Sequence, residues 1–415
     1  MPFFMQQALV SESRRITYSQ LSHSQPSIKL ALCGIRCFTI TVMAVPLLSV
    51  NAQNHPLEAD FTEAFARVFR SGVFIMGPEI TALEVETAKL IGVEHSIGVS
   101  SGTDAILLAL MALGIGPGDE VLCPAFTFFA TAGCVSRFGA TPVFVDVCAD
   151  DFNINVADAR AKITPRTKAI IPVHLFGQCA DMEAVMALAS EHNLYVIEDA
   201  AQAIGASRHG RGAGTVGHFG CYSFFPSKNL GGLGDGGLLT TNDPALAVRA
   251  KAMRNHGMEP KYYHSMIGGN FRLDALQAAL LRVKLPHYAE YNARRQANAA
   301  YYKERLSSLP GLVLPITTKG NTHIWNQFTL RVLGEGKRDA LRDHLTAKKI
   351  GCEIYYPLTL DKQECFAALP ESSRRGCEVS HQLAKEVLSI PVFPELTSIE
   401  REEVATTIKE FLTAS

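Results

Sequence analysis

The chain has 415 residues, of which 47% are hydrophobic and 19% charged, so it can form two domains around a sizeable core. Its formal net charge of −1 argues against a nucleic-acid-binding surface. The ten cysteines form no CxxC pair and no Cys/His cluster with zinc spacing, and several lie in apolar runs. We therefore expect reduced, buried thiols in a cytoplasmic protein, with no metal site and no nucleic-acid or membrane partner.

The first forty or so residues differ from the rest of the chain. Residues 1–28 are rich in Ser, Gln and Arg without a helical or strand period, and Arg36, Thr39 and Thr41 interrupt the apolar run that follows. That run is too polar for a membrane span, which needs roughly 18 uninterrupted apolar residues. We interpret residues 1–42 as an unstructured extension or an upstream-start artefact before Met43. A signal peptide is the alternative.

From about residue 57 to 285, short apolar strands alternate with helical stretches. Strands are predicted at 96–99, 120–123, 141–145, 169–173, 195–198, 221–224 and 237–240, with helices at 103–113, 125–138 and 182–192. This alternation predicts an α/β fold with a largely parallel, buried sheet.

The last third of the chain has a different pattern. An amphipathic helix is predicted at 273–284, and a long helix then leads to about residue 309. Strands at 328–332 and 353–356 and helices at 338–348, 381–388 and 399–412 follow, which is an α+β pattern. The predicted organisation is an extension at 1–42, a large domain at 43–290 and a small C-terminal domain at 291–415.

A lysine and an aspartate stand out in the large domain. Lys228 lies between the aromatic pair Phe224-Phe225 and a glycine run, and Asp199 ends an apolar strand about thirty residues earlier. Burial lowers the pKa of a lysine and frees its amine to attack a carbonyl, and an aspartate suits a pyridinium nitrogen. Taken singly, Lys228 reads equally as a solvated loop lysine and Asp199 as a helix cap; together they indicate Schiff-base chemistry.

Smaller signals surround this pair. The segment Ser100-Ser-Gly-Thr-Asp follows a strand and opens a helix, which suits a phosphate or, equally, a simple N-cap. Phe128 lies just past another strand end, where it can stack on a flat ring or pack in the core. Gln202 is one helical turn beyond Asp199 and can donate to a ring oxygen, and Ser223 can add a hydroxyl to a phosphate site.

One motif points elsewhere and is set aside. Residues 232–237 fit GxGxxG, the dinucleotide fingerprint, which is meaningful only between a strand and a helix. Here the glycines follow a Pro-Ser-Lys loop and run into an apolar Leu-Leu-Thr-Thr segment that is typical of a strand. The sequence therefore does not predict a nicotinamide site.

The chain resembles the DegT/DnrJ/EryC1/StrS family, the pyridoxal-phosphate-dependent aminotransferases of nucleotide-sugar biosynthesis, from about Val45 to the C-terminus. The resemblance rests on a series of blocks in the family's order: Gly77-Pro-Glu, Ser101-Gly-Thr-Asp-Ala, Gly116-Pro-Gly-Asp-Glu-Val, Val196-Ile-Glu-Asp-Ala-Ala-Gln-Ala, Ser223-Phe-Phe-Pro-Ser-Lys, Gly234-Asp-Gly-Gly and Gly269-Asn-Phe-Arg-Leu-Asp. It implies a fold type I architecture, in which a mostly parallel seven-stranded sheet lies between helices and a smaller α+β domain follows.

The resemblance also implies roles for eight residues around pyridoxal 5′-phosphate. Lys228 would form the Schiff base, Asp199 would pair with the pyridinium nitrogen, and Gln202 would contact the ring hydroxyl side. The remaining positions match ring stacking by Phe128, phosphate contacts by Gly102, Thr103 and Ser223, and a contact from Asn270 to the phosphate in the neighbouring subunit. The last role implies a homodimer with shared active sites.

The implied reaction moves an amino group from glutamate to a keto group, at C3 or C4, of a nucleotide-linked sugar for amino-sugar or polysaccharide biosynthesis. Sugar dehydratases of the family carry histidine at the lysine position, so Lys228 argues against that branch. A catalytically altered cofactor-binding regulator of the same fold is the alternative. The sequence fixes neither the sugar nor the nucleotide. Four aromatic residues are candidates for the sugar pocket and equally for packing: His323, Trp325, Tyr355 and Tyr356.

Overall fold

The computed structural model describes residues 44–413, so the predicted extension at 1–42 lies outside the described residues. Within this part of the chain, no helix has the length and apolar character needed to cross a membrane. The α-helices are α1 Val50–Asn54, α2 Glu58–Ser71, α3 Pro78–Ile91, α4 Gly102–Ala112, α5 Ala130–Arg137, α6 Val156–Ala161, α7 Met182–His192, α8 Pro244–Arg254, α9 Ala275–Lys284, α10 Tyr288–Leu306, α11 Lys337–Ala347, α12 Glu378–Glu386 and α13 Ser398–Thr413. The strands are β1 His95–Val99, β2 Glu120–Pro124, β3 Thr141–Val145, β4 Thr167–Ile170, β5 Tyr195–Asp199, β6 Ser207–Arg208, β7 Arg211–Gly212, β8 Phe219–Ser223, β9 Gly237–Thr241, β10 Leu312–Val313, β11 Asn321–Thr322, β12 Phe328–Val332 and β13 Val387–Ile390.

The central sheet has seven strands in the order β1-β9-β8-β5-β4-β2-β3. Only β9 runs antiparallel to its neighbours, so the other six strands share one direction. The inner strands are almost fully buried because helices cover both faces, as parallel sheets require. The structure confirms the α/β fold with a mostly parallel seven-stranded sheet.

The common strand direction brings functional residues to one edge. Asp199 ends β5 and Ser223 ends the neighbouring parallel strand β8. Because carboxyl ends of parallel strands meet at the same sheet edge, the loops that follow these strands face each other. Helix α4 also begins at this edge, and it packs against β8 and β9.

Three predicted elements need correction. The helix predicted at 125–138 begins only at Ala130, because Pro124 ends β2 and the intervening residues form a loop toward the sheet edge. The strand predicted at 353–356 is reduced to one bridge between Glu353 and Ser389. Helix α12 ends before Val387, where the sequence predicted helix, because residues 387–390 are fully buried and pair with β12 as strand β13.

The C-terminal part of the chain has its own apolar core. Helices α10, α11 and α13 pack with the three-stranded sheet β10-β12-β13 around buried residues that include Tyr302, Phe328 and Ile408. Val45 belongs to this core and forms a parallel bridge with Ile350. We propose a domain division near residue 290, with the segment around Val45 packed on the C-terminal domain.

Candidate active site

Lys228 lies in a tight loop after strand β8. Its backbone N–H donates to the carbonyl of Phe225 at 2.8 Å, and the Phe224 N–H donates to Gly236 at 2.8 Å. A side chain at Gly231 would place its Cβ 2.3 Å from the Pro226 carbonyl oxygen, so the glycine permits this close turn. The lysine side chain is thereby held at the edge of the sheet.

The amine of Lys228 lies within electrostatic range of the Asp199 carboxylate. Burial lowers the pKa of Lys228 to about 8, and the carboxylate of Asp199 opposes that shift. A lysine of this kind has a substantial fraction of neutral amine near neutral pH, whereas a solvated lysine has almost none. These surroundings suit the predicted nucleophile, and the role of Lys228 stays a prediction.

Asp199 is only 5% exposed and is held by two hydrogen bonds. Thr131 donates its hydroxyl to Oδ2 at 2.8 Å, and the Ala201 N–H donates to Oδ1 at 3.2 Å. Burial raises the pKa of Asp199, although Thr131, Ala201 and the charge of Lys228 oppose the rise. A cationic partner would therefore stabilise the charged form of this carboxylate, and a protonated ring nitrogen is such a partner.

A second buried acid lies immediately before Asp199. Both Glu198 and His174 are fully buried, and His174 Nε2 lies 2.7 Å from Glu198 Oε2. Three backbone N–H groups of residues 214–217 also donate to the Glu198 carboxylate, at 2.6 to 2.8 Å. Burial alone would raise the pKa of Glu198, but the hydrogen bonds from His174 and the backbone lower it overall. Because His174 Nδ1 accepts the Ala180 N–H at 3.1 Å, the ring proton lies on Nε2.

Gln202 and two aromatic side chains line the same edge. Gln202 Oε1 accepts the Phe176 N–H at 2.7 Å, which leaves the amide N–H₂ for Tyr356, whose hydroxyl lies 3.4 Å away. Phe128 is 58% exposed, and its ring centroid lies 6.4 Å from that of Tyr356. An exposed aromatic beside an oriented amide donor fits a flat ring with an oxygen substituent.

The start of helix α4 forms a cradle for an anion. Ser101 caps the helix by accepting the Asp104 N–H at 3.0 Å, and the first N–H groups of such a helix have no intrahelical acceptor. A Cβ on Gly102 would lie 2.9 Å from the Ser223 Cβ, so these residues are in close contact. Ser223 Oγ accepts the Phe225 N–H at 3.2 Å and keeps its own proton for another acceptor. Gly102 and Ser223 are therefore in contact, and Thr103 follows Gly102 in the helix, while their role as phosphate contacts stays a prediction.

Asn270 lies on the surface, outside this group. Its backbone pairs with Asn255, and its side chain lines an open cavity of about 430 Å³ with Ser100, Asp235 and Arg272. The cavity lies beside the segment that leads into α4. The predicted contact from Asn270 to the partner's phosphate stays a prediction.

The remaining residues fit pyridoxal phosphate as a set. A desolvated lysine, a buried carboxylate with unmet charge, an exposed aromatic and a small-residue cradle match the cofactor's carbonyl, ring nitrogen, ring face and phosphate. Within residues 44–413, no group of three or more His, Cys, Asp or Glu side chains is placed to hold a metal ion.

The sequence model of the DegT/DnrJ/EryC1/StrS aminotransferase family matches residues 56–409. The chain belongs to this family. It is 47% identical over 369 residues to an Acidithiobacillus ferrooxidans protein named UDP-N-acetyl-3-dehydro-alpha-D-glucosamine 3-aminotransferase, a match that covers 89% of this chain and 98% of that protein. It is also 46% identical to a Geobacillus stearothermophilus protein named pleiotropic regulatory protein, over 89% of this chain and 99% of the relative.

Solved structures agree with the sequence comparison. The Streptomyces venezuelae enzyme DesV, crystallised with a ketimine intermediate, is 42% identical and superposes with a TM-score of 0.85 over 89% of this chain and 98% of that one. NtdA from Bacillus subtilis, solved with bound cofactor PMP, is 30% identical and superposes with a TM-score of 0.81 over 89% of this chain and 85% of its own. The family member described here is therefore an aminotransferase with the fold type I architecture, and its cofactor is pyridoxal phosphate.

Sequence reasoning missed three contributors to the site. Thr131 lies outside every block that carried the resemblance, and Glu198 and His174 resembled ordinary strand-end residues. Contacts distinguish three of the four aromatic candidates. His323 and Trp325 are buried and stacked on each other at 3.6 Å, which is packing, whereas Tyr356 contacts Gln202 at the site.

Proposed function

We propose that this aminotransferase moves an amino group from glutamate to the C3 keto group of a nucleotide-linked sugar. The observation that carries the proposal is the Lys228 amine with a lowered pKa, placed beside Asp199 at the edge of the sheet. The choice of C3 rests on relatives. Besides the A. ferrooxidans protein, named for a UDP-linked 3-dehydro sugar, an S. venezuelae relative that is 42% identical is named for a dTDP-linked 3-amino sugar.

The chemistry divides between cofactor and protein. When bound, pyridoxal phosphate supplies an electron sink for negative charge at the carbon that carries the amino group. Asp199 would keep the proton on the ring nitrogen, because that positive charge would stabilise its buried carboxylate. Lys228 Nζ, as a neutral amine, takes the proton from the amino carbon and moves it between that carbon and the cofactor.

The other side chains orient the ring. Gln202, anchored through its Oε1 by Phe176, would donate an amide N–H to a ring oxygen. Phe128 would cover one ring face, and the start of α4 with Ser223 would hold the phosphate through N–H and hydroxyl donors. These contacts keep the amino carbon within reach of Lys228, which is what proton transfer requires.

We propose that the enzyme is a homodimer and lies in the cytoplasm. Helix α2 and the turn after it expose large apolar side chains: Phe65 and Phe69 stack on each other and are 51% and 65% exposed, and Ile75 is 53% exposed. An apolar patch of this kind favours a subunit interface. Eight cysteines in the described part of the chain are free, as expected of a reducing compartment.

The regulator alternative is tested by the same experiment as the enzyme. Holoenzyme with a visible cofactor band should lose that band when glutamate is added and recover it with a 3-keto UDP- or dTDP-linked sugar. The corresponding 4-keto sugars serve as controls. If glutamate bleaches the band and no keto sugar restores it, the proposed sugar acceptor is wrong. If glutamate does not change the band, the proposed amino donor is wrong.

A further inference from the structure

A second polar pocket lies next to the loop that carries Lys228. It has a volume of about 40 Å³ and is lined at one side by Ser227, the residue before the reactive lysine, and by Tyr355. Arg295 from helix α10 and the neighbouring Asn326 and Gln327 supply its polar wall. This space exceeds the roughly 10–15 Å³ that one water needs, and it is far too small for a nucleotide sugar.

Arg295 is the unusual member of this pocket. It is 2% exposed and, among the described residues, forms no ion pair within 4.0 Å. Its Nη1 donates to the carbonyls of Trp325 and Asn326 at 3.0 and 3.3 Å, but its Nε–H has no partner in residues 44–413. A buried guanidinium without a counter-ion is costly, so buried charges are normally paired.

The charge around Arg295 stays positive. Burial lowers the pKa of Arg295 to about 10, opposed by Glu395, so the group remains protonated at neutral pH. Lys284 also lies near Arg295, and Glu395 interacts electrostatically with both of these cations and with Arg294, without an ion pair to any of the three in the described chain. Arg294 is paired with Glu290, so Arg295 and Lys284 share the one carboxylate of Glu395, which leaves room for a second anion.

The side-chain amides of the pocket are only partly hydrogen-bonded among the described residues. Asn326 Nδ2 donates to Asn229 Oδ1 at 2.8 Å, which ties the pocket to the residue after Lys228. The side-chain oxygens of Asn326 and Gln327 are buried and have no hydrogen-bond partner among the described residues. Rotation of the Gln327 amide presents its N–H₂ group to the pocket instead. The rest of the wall is apolar and includes Val392 and Phe393.

We propose that this pocket receives the side-chain carboxylate of the amino donor and that Arg295 is its counter-ion. An apolar slot that ends in a guanidinium fits a methylene group followed by a carboxylate, and a planar guanidinium is suited to binding a carboxylate. Ser227 lines the pocket and Asn229 is bonded to Asn326, so the pocket lies beside the backbone of the loop that carries Lys228. The identity of the donor rests on the proposed function; the carboxylate site itself does not.

The single tryptophan of the chain provides a readout that is independent of turnover. Trp325 precedes Asn326, and its carbonyl accepts the Arg295 Nη1 hydrogen bond. Glutarate, a dicarboxylate with no amino group to transfer, is titrated into wild-type holoenzyme while Trp325 fluorescence is followed. We expect a saturable change that butyrate and chloride at equal concentration do not reproduce. An equal response to chloride would overturn the donor subsite in favour of a general anion site.

Variants test the residues. Arg295→Lys and Gln327→Leu should each weaken glutarate binding at least about tenfold, the loss expected for one hydrogen bond to a charged group. They should raise the KM for glutamate by a similar factor and leave the KM for the keto sugar unchanged. Arg294→Lys is the matched control, because Arg294 is exposed and pairs with Glu290.

Unchanged glutarate binding in folded Gln327→Leu protein would overturn the proposal, even where Arg295→Lys fails to fold in a thermal melt. The proposed function is tested by a different outcome from the carboxylate site. If wild-type enzyme transfers no amino group from glutamate but binds glutarate through Arg295, the donor is wrong and the carboxylate site stands.

Discussion

Thr131 donates a hydrogen bond to Asp199 at 2.8 Å from a position 68 residues earlier in the chain, and both side chains are buried. The bond fixes one carboxylate oxygen, and the Ala201 N–H fixes the other. The carboxylate thus has one orientation before any cofactor arrives. Preorganised charge of this kind is the form of electrostatic stabilisation that costs no reorganisation during the reaction.

We expect Thr131→Val to lower kcat/KM about tenfold, since it removes one hydrogen bond to a charged group while keeping the side-chain shape. Thr131→Ser keeps the hydroxyl and should retain most of the activity. Steady-state kinetics and a cofactor titration followed by visible absorption give the comparison. Equal rates for the valine and serine variants would show that the hydroxyl does not orient Asp199.

Lys228→Ala should abolish amino transfer while the fold is largely preserved, because the chemistry depends on the amine. Borohydride reduction of wild-type holoenzyme should attach the cofactor to Lys228. Lys284 is an internal control, since burial also lowers the pKa of Lys284 to about 8 but its amine is buried and donates to the Gly231 carbonyl. Recovery of the label on Lys284 or any other lysine would refute the assignment of Lys228.

The lowered pKa of Lys228 predicts a pH dependence of cofactor attachment. Only the neutral amine attacks a carbonyl, so attachment to cofactor-free enzyme should rise with pH up to about 8 and then level. The folded pKa lies below the unfolded value of about 10.4, so Lys228 binds fewer protons in the folded state between these values. Its contribution to the free energy of unfolding therefore increases with pH between about 8 and 10.4. Stopped-flow absorption and thermal melts measure the two effects.

Asp199→Asn should shift the pH dependence of cofactor attachment to lower pH, because the charge of Asp199 raises the pKa of Lys228. The variant should still bind cofactor but lose at least about two orders of magnitude in rate, as for removal of one preorganised electrostatic group. The rate is read from loss of the cofactor band after glutamate is mixed in. A near-wild-type rate would mean that another group protonates the ring nitrogen.

The sequence predicted the sheet correctly and proposed Asp199 and Lys228 for the site, because both depend on local pattern. Strand β5 reads as an apolar run that ends in Asp199, and Lys228 follows β8 in a glycine-rich loop. Phe128 and Gln202 were candidates from their positions after a strand end and one turn beyond Asp199, and the family resemblance then implied their roles. What could not be predicted depends on contacts distant in sequence. Thr131 reaches Asp199 only because the strands meet at one edge, and Val387 joins a strand because β12 lies beside it.

Glu198→Gln should destabilise the enzyme by about 2–4 kcal/mol, because it weakens bonds from His174 and from three backbone N–H groups in a buried site. The pKa of Glu198 is lowered in the folded protein, so its contribution to stability is present above the unfolded pKa of about 4.3. That contribution is lost as pH falls through the folded pKa, so the variant should show a smaller loss of stability on acidification. Urea unfolding at pH 4 and pH 7 measures both quantities. This role would be contradicted if the wild-type and variant enzymes were equally stable at pH 7 and also equally stable at pH 4.

Asn270 should act in trans in the proposed homodimer. It lies on the surface, in a segment that pairs with Asn255 just before helix α9, and helix α9 packs against α2, whose outer face exposes Phe65 and Phe69. If that apolar patch is the subunit interface, Asn270 can donate its amide to the phosphate in the neighbouring subunit. Asn270→Ala and Lys228→Ala enzymes should then each be inactive, with Asn270→Ala retaining cofactor poorly.

Mixing the two inactive enzymes shows whether Asn270 serves the site of its own chain or that of its partner. In a heterodimer with shared sites, one site carries both substitutions and the other carries neither, so activity should return toward one quarter of the wild-type value after random subunit exchange. Exchange is checked with subunits of different tag length, and Lys228→Ala mixed with itself is the control. If subunits exchange and activity does not return, each Asn270 serves the site of its own chain, and cofactor retention is not coupled to dimerisation through this residue.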